Sequence, residues 1–134
     1  MIKTAVIMAA GPGTRFGQMT ETQPKGFIEV GGISMIRRSI ETLLSCGIER
    51  IVIGTGYKKE CYEVLCCEYP QIECVYSPRY AETNSMYTLY NCREAIGDSD
   101  FLLLESDIVF NADAVKEMLS DVHENIMLIT PVMK

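Results

Sequence analysis

Two charged residues, Lys25 and Asp107, stand in surroundings that suit phosphate chemistry. Lys25 closes the stretch AAGPGTRFGQMTETQPKG, which follows the apolar run at residues 2–8. Gly11 and Gly13 permit a tight turn whose backbone N–H groups can approach an anion closely. Pro12 removes one such donor, so its neighbours must supply the rest. Arg15 can fork onto phosphate oxygens, whereas Lys25 offers a point charge. Asp107 comes just after the apolar LLLE, in the acidic group Glu105-Ser106-Asp107. A carboxylate there suits a hard cation such as Mg²⁺, which seeks carboxylate and phosphate oxygens together. Each feature also has a plainer reading. A lone GxG is more often a simple turn, Asp107 can cap the following turn or helix, and Glu105 can serve as a buried hydrogen-bonding partner.

Two familiar nucleotide loops do not fit. The dinucleotide pattern GxGxxG needs glycine where Phe16 stands. The Walker loop needs lysine directly after glycine, but Gln18 follows Gly17. No helix pattern opens immediately after the turn.

The elements that must carry these residues follow from the apolar pattern. Strands are predicted at residues 2–8, 50–54, 72–76, 100–105 and 126–130, with a short one at 27–30 inside an otherwise irregular stretch at 9–32. Helices are predicted at 35–46, capped by Ser34 and stopped by Gly47, and at 58–68, 85–96 and 112–120. The first buries Ile36, Ile40, Leu43 and Leu44, and the second has Cys61, Val64 and Leu65 at helical spacing. The 100–105 strand reads as fully apolar inside. Near-continuous apolar strands alternating with helices imply a mainly parallel sheet covered on both faces, an α/β fold with no internal boundary. In such a sheet ligands collect at the carboxyl ends of the strands. The loop after Met8, the GTGY after Ile53 and the Glu105–Asp107 group all lie at such ends.

Composition limits the partners. The chain has 134 residues and a net charge of −6, which argues against a nucleic-acid backbone but not against a nucleotide in a local positive pocket. No apolar run reaches a membrane span. The apolar start is short and leads straight into the glycine loop, unlike a cleaved signal, so a cytoplasmic location is expected. The six cysteines form no CxxC pair and read as reduced, partly buried thiols. Tyr87 and Tyr90 read as core or groove wall, Met8 as core filler, and His123 as solvated.

The segment VIMAAGPGTRFGQMTETQPKGFIEVGGISMI resembles the signature of the nucleotidyltransferases (the NTP-transferase, MobA-like family) that activate small phosphorylated molecules. Its parts are a strand, AAGxGTR, a PK pair and a glycine-rich hairpin before a helix. IVIGTGYKKE resembles the family's second strand and its GY turn. YAETNSMYTLYNCREAI and FLLLESDIVF look more narrowly like the cytidylyltransferases that act on phosphocholine or 2-aminoethylphosphonate. The resemblance runs from Ile2 to about Val115.

It implies a three-layer α/β/α Rossmann-like fold and a Mg²⁺-dependent transfer of CMP from CTP to a small phosphate or phosphonate, with release of diphosphate. Met8, Ala10, Gly11 and Gly13 would bound the nucleotide and its phosphates. Thr83, Asn84 and Thr88 would meet base and ribose, and Glu105 would join this pocket. Arg15 would lie over the leaving diphosphate, Lys25 would bridge the α-phosphate and the incoming oxyanion, and Asp107 would hold Mg²⁺. The chain departs from the pattern at Gly26, where many members carry Pro or Ala. Family members also continue well beyond this length, into a region with a second metal-binding carboxylate and most of the acceptor pocket. Residues 1–134 are therefore expected to form the N-terminal nucleotide-binding portion of such a domain. Two other readings stand beside it: a sugar-phosphate nucleotidyltransferase using another nucleotide, and a non-catalytic nucleotide-binding domain. The oligomeric state is not legible.

Overall fold

A computed structural model of the protein describes residues 1–129. Strand β1 (Thr4–Ala9) is wholly buried because it is paired along both edges. A glycine-punctuated stretch follows, with 3-10 turns at Thr14–Thr20 and Lys25–Phe27. The short strands β2 (Glu29–Val30) and β3 (Ile33–Ser34) then form an antiparallel hairpin. Helix α1 (Met35–Ser45) starts where the Ser34 side chain accepts the Arg37 N–H. Beyond it come β4 (Arg50–Thr55), α2 (Lys59–Glu68) and β5 (Ile72–Tyr76). The chain continues through α3 (Ser85–Asn91), α4 (Arg93–Ile96), β6 (Phe101–Glu105) and α5 (Ala112–Ser120).

The main sheet is parallel with strand order β5-β4-β1-β6. Alternate residues of β1 serve opposite faces, as strand geometry requires. Ala5, Ile7 and Ala9 join Ile36, Ile40, Leu43, Tyr62 and Leu65 of α1 and α2 in one cluster. Val6 and Met8 join Val52, Cys92 and Ile96 in a second cluster on the other face. Helices thus cover both faces, giving three α/β/α layers around a mainly parallel sheet. No helix among the described residues is long and apolar enough to cross a membrane. All six cysteines are free, and burial pushes the Cys92 thiol up to about 11, which keeps it protonated and inert.

Four expectations change. The buried face of α2 is Tyr62 and Leu65, while Val64 is 60% exposed. The helix turns this way because the Tyr62 ring packs edge-on against Phe27, with centroids 5.1 Å apart. The helix expected over 85–96 is two segments joined at Cys92, whose N–H is shared between the Thr88 and Leu89 carbonyls. Strand β6 is apolar inside but not buried throughout. Leu103 is exposed, because among the described residues β6 pairs with β1 alone. Ile126–Ile129 take no strand conformation, and Thr130 lies outside the described residues.

The topology makes the site. From β1 the chain winds outward through β4 to β5, then crosses back to lay β6 on the other side of β1. The loops leaving β1 and β6 therefore diverge, which opens a crevice at the carboxyl ends of these strands. Register puts Met8 beside both Gly54 and Glu105, so the three loops of interest leave one rim at one level.

Candidate functional site

The loop after β1 is folded back on itself. Gly13 adopts φ 66°, and a Cβ there would lie 3.1 Å from both the Lys25 Cβ and the Thr20 Cγ2. Glycine is needed on both counts, and its absence of side chain lets the loop close over Lys25. Buried Thr20 fixes the closure, with its hydroxyl 3.1 Å from the Gly13 carbonyl and 3.2 Å from that of Gly17.

Tyr57, at the end of GTGY, ties down both arms of this loop. Its backbone N–H donates to the Ala10 carbonyl (3.0 Å) and its hydroxyl to the Thr20 carbonyl (2.5 Å). Gly56 makes this approach possible, since a Cβ there would come within 2.7 Å of the Ala10 carbonyl and 2.6 Å of the Tyr80 side chain. The sequence puts GTGY on this rim but does not show the contacts Tyr57 makes there. Its signal was only the placement of an aromatic donor just past a strand end. Tyr57→Phe leaves the Thr20 carbonyl without that partner and is expected to lower stability by about 1 kcal/mol in urea unfolding. An unchanged midpoint and slope contradict the clamp.

Between the loop and α3 lies a cavity of about 200 Å³. Met8, Ala10, Gly11 and Lys25 line one side, and Thr83, Asn84 and Thr88 the other, with Glu105 from the end of β6. Pro12, Tyr80 and Ser85 complete the wall. Segments distant in sequence are thereby gathered at one place. Their polar groups are partly committed. The Asn84 Oδ1 caps α3 by accepting the Met86 and Tyr87 N–H groups, which leaves its amide N–H₂ to face a ligand. The Thr83 hydroxyl donates to the Arg79 carbonyl at 2.6 Å and keeps its lone pairs. Thr88 is almost wholly buried and forms floor rather than rim.

Lys25 Nζ is 3.7 Å from Asp107 Oδ1, with side chains only 16% and 18% exposed. The pair puts a cation and a carboxylate where the β1 and β6 loops diverge. Asp107 does not cap the next helix, because Asn111 does so by accepting the Ala114 N–H. Glu105 is exposed on the rim rather than buried as a hydrogen-bonding partner. Arg15 is not brought into the cavity wall and stands exposed on the 3-10 turn. Gly13 contributes by shaping the loop, not by lining the cavity. No three His, Cys, Asp or Glu side chains cluster as a metal centre among the described residues. A Mg²⁺ bound with a nucleotide requires fewer, since one or two carboxylates plus phosphate oxygens and water complete its shell. Asp107 fits that requirement.

Comparison with known proteins identifies the family. The model of the MobA-like NTP transferase domain matches residues 5–132. The chain is 35% identical over 111 residues to the 2-aminoethylphosphonate cytidylyltransferase of Lancefieldella rimae, covering 83% of this chain and 45% of that protein. It is also 35% identical over 121 residues to a UTP–glucose-1-phosphate uridylyltransferase of Haloferax volcanii, covering 87% and 49% respectively. The structure of the CTP:phosphocholine cytidylyltransferase of Streptococcus pneumoniae superimposes with a TM-score of 0.72 at 33% identity, over 84% of this chain and 50% of that one. The chain thus spans about half the length of the relatives it matches. A parallel sheet with its switch point at β1 and β6, a glycine loop closed over a lysine, and a family match across nearly the whole length lead to one assignment: this chain belongs to the MobA-like NTP transferase domain family.

Proposed function

We propose that this chain is the nucleotide-binding portion of a cytidylyltransferase that transfers CMP from CTP to a small phosphate or phosphonate such as phosphocholine or 2-aminoethylphosphonate. The observation that carries the reading is Lys25, which lines the cavity and pairs with Asp107 at the strand ends. Backbone N–H groups around Gly11 and Gly13 donate to the triphosphate oxygens, while Thr83, Asn84 and the Glu105 side face the nucleoside. An acceptor oxyanion attacks the α-phosphorus. The new P–O bond forms as the bond to the diphosphate oxygen breaks, and the diphosphate leaves with that electron pair. The attacking oxygen carries no proton, so no general base is needed. The chain's own residues act by positioning and by setting a fixed positive charge at Lys25 against the charge that develops on the phosphoryl oxygens. Arg15, exposed on the turn that follows the loop, is the residue we assign to the leaving diphosphate. Asp107 is the residue to hold Mg²⁺, which when bound supplies Lewis-acid neutralisation of the triphosphate.

Likeness to cytidylyltransferases in both sequence and structure supports cytidine as the base. Equal identity to a uridylyltransferase favours a second reading, in which UTP and a sugar phosphate are the substrates. Diphosphate release by the full-length gene product, measured with CTP or UTP against phosphocholine, 2-aminoethylphosphonate and glucose 1-phosphate, separates them. Turnover is expected with CTP and one of the first two acceptors. Turnover with UTP and glucose 1-phosphate alone selects the second reading, and none with any pair sinks both.

A further inference from the structure

The Lys25 turn rests on a side chain that makes no hydrogen bond there. Tyr62 of α2 is fully buried, and its hydroxyl lies near Ser106 and the Gly26 backbone without completing a hydrogen bond of good geometry. The Ser106 hydroxyl, also fully buried, is likewise unpartnered. Two such groups side by side are costly, so their place calls for a reason. Gly26 shows what it is. A Cβ at Gly26 would stand 2.7 Å from the Tyr62 hydroxyl oxygen and 3.3 Å from both the Cβ and the carbonyl oxygen of Ser106. The neighbouring Phe27 takes the Tyr62 ring edge-on at 5.1 Å, and Pro24 on the other side of Lys25 is fully buried. Tyr62 therefore packs beneath the turn that carries Lys25 and against the residue that precedes Asp107.

We propose that Tyr62 is a positioning residue whose hydroxyl occupies the space a side chain at position 26 would need, and so sets how closely the Lys25 turn seats on Ser106-Asp107. What that seating serves, the placing of Lys25 on a phosphate, rests on the function proposed above; the packing itself does not. Close-packed interiors transmit a displacement of a few tenths of an ångström instead of absorbing it. A methyl group added at position 26 is expected to push the turn away from Ser106-Asp107, because it would meet the buried Tyr62 hydroxyl and the Ser106 carbonyl together. Burial holds the phenol well above its ordinary range, so the group acts as a neutral hydroxyl of fixed volume, not as an acid or base. Gly26 and the tyrosine behind it are one device.

The test reads Lys25 directly. The protein is acylated with an N-hydroxysuccinimide ester without nucleotide, and labelling at Lys25 is expressed relative to exposed Lys116 by mass spectrometry. Gly26→Ala is expected to raise the Lys25 ratio about threefold or more, as a partly shielded ion pair is lost. Adding Tyr62→Phe, which removes the obstructing oxygen, is expected to return it to within about twofold of the wild type, a rescue that a merely destabilised core does not give. An unchanged ratio in Gly26→Ala, or a raised one that Tyr62→Phe leaves raised, overturns the proposal. Should Gly26→Ala not fold, a recovered cooperative melt in the double variant supports the contact and no recovery overturns it. A separate arm repeats the wild-type labelling with CTP and Mg²⁺. Failure to protect Lys25 there counts against the proposed function and leaves the Tyr62 comparison to be judged on its own ratios.

Discussion

Replacing Lys25 with alanine is expected to lower turnover of the full-length gene product by about 10²-fold or more while changing nucleotide affinity much less. The asymmetry follows from where the charge sits. In the ground state the triphosphate would be held by backbone donors around Gly11 and Gly13 together with bound Mg²⁺, and one ammonium is a modest share of that binding. In the transition state negative charge builds on the phosphoryl and leaving oxygens, and Lys25 is the cation of the cavity wall. With its side chain only 16% exposed, it acts in a medium less polarisable than water, where a fixed charge counts for more. Lys25→Arg is expected to recover little, because a planar fork is longer and differently directed than an ammonium. Steady-state kinetics with CTP checks both. A rate within a few-fold of the wild type contradicts the role given to Lys25, and a loss confined to KM makes it a binding group only.

Asp107→Asn is expected to abolish the Mg²⁺ dependence of nucleotide binding. The substitution keeps shape and hydrogen-bonding capacity but removes the anionic oxygen that a hard cation prefers. Disturbing even the outer partners of a bound metal costs about tenfold or more in affinity, and a direct ligand costs at least as much. The same change strips Lys25 of its counter-ion at 3.7 Å, so nucleotide binding without Mg²⁺ is expected to hold or strengthen as Lys25 is freed for phosphate. Calorimetric titration of CTP with and without Mg²⁺ distinguishes these effects. A variant that still binds more tightly with Mg²⁺ moves the metal to another residue.

The fold was legible in the sequence wherever apolar residues ran unbroken. Buried strands such as β1 and β4 have no solvent face, and their β-branched runs between glycine punctuation marks announce this. Helix α1 was legible because Ser34 caps it and one side of it is continuously apolar. The face of α2 was not, since Cys61, Val64 and Leu65 fit helical spacing as well as Tyr62 and Leu65 do. Contacts made far away in sequence, the Phe27 ring and the buried cluster among them, decide between them. Strand β6 reads as interior by composition, yet Leu103 is exposed because strand partners, not residue types, determine burial at an edge.

The site divides in the same way. The loop residues, Lys25 and the Thr83-Asn84 segment were singled out by residue type and by the resemblance, and the structure brings Gly11, Lys25, Thr83 and Asn84 to one cavity. Tyr57 and Tyr62 act through what they touch, the carbonyls of Ala10 and Thr20 in one case and Gly26 in the other. Neither contact leaves a local pattern. Arg15 shows the converse. Its type fits phosphate, but as a long side chain on an exposed turn its position is not set by the fold.

On the function proposed above, the loop after β1 cradles the triphosphate of a cytidine nucleotide. Titration calorimetry of this chain with CTP, UTP, ATP and GTP in Mg²⁺ tests it most directly. Saturable binding with CTP tightest of the four, its Mg²⁺ dependence lost in Asp107→Asn, is the predicted result; no binding of any of the four contradicts that cradle.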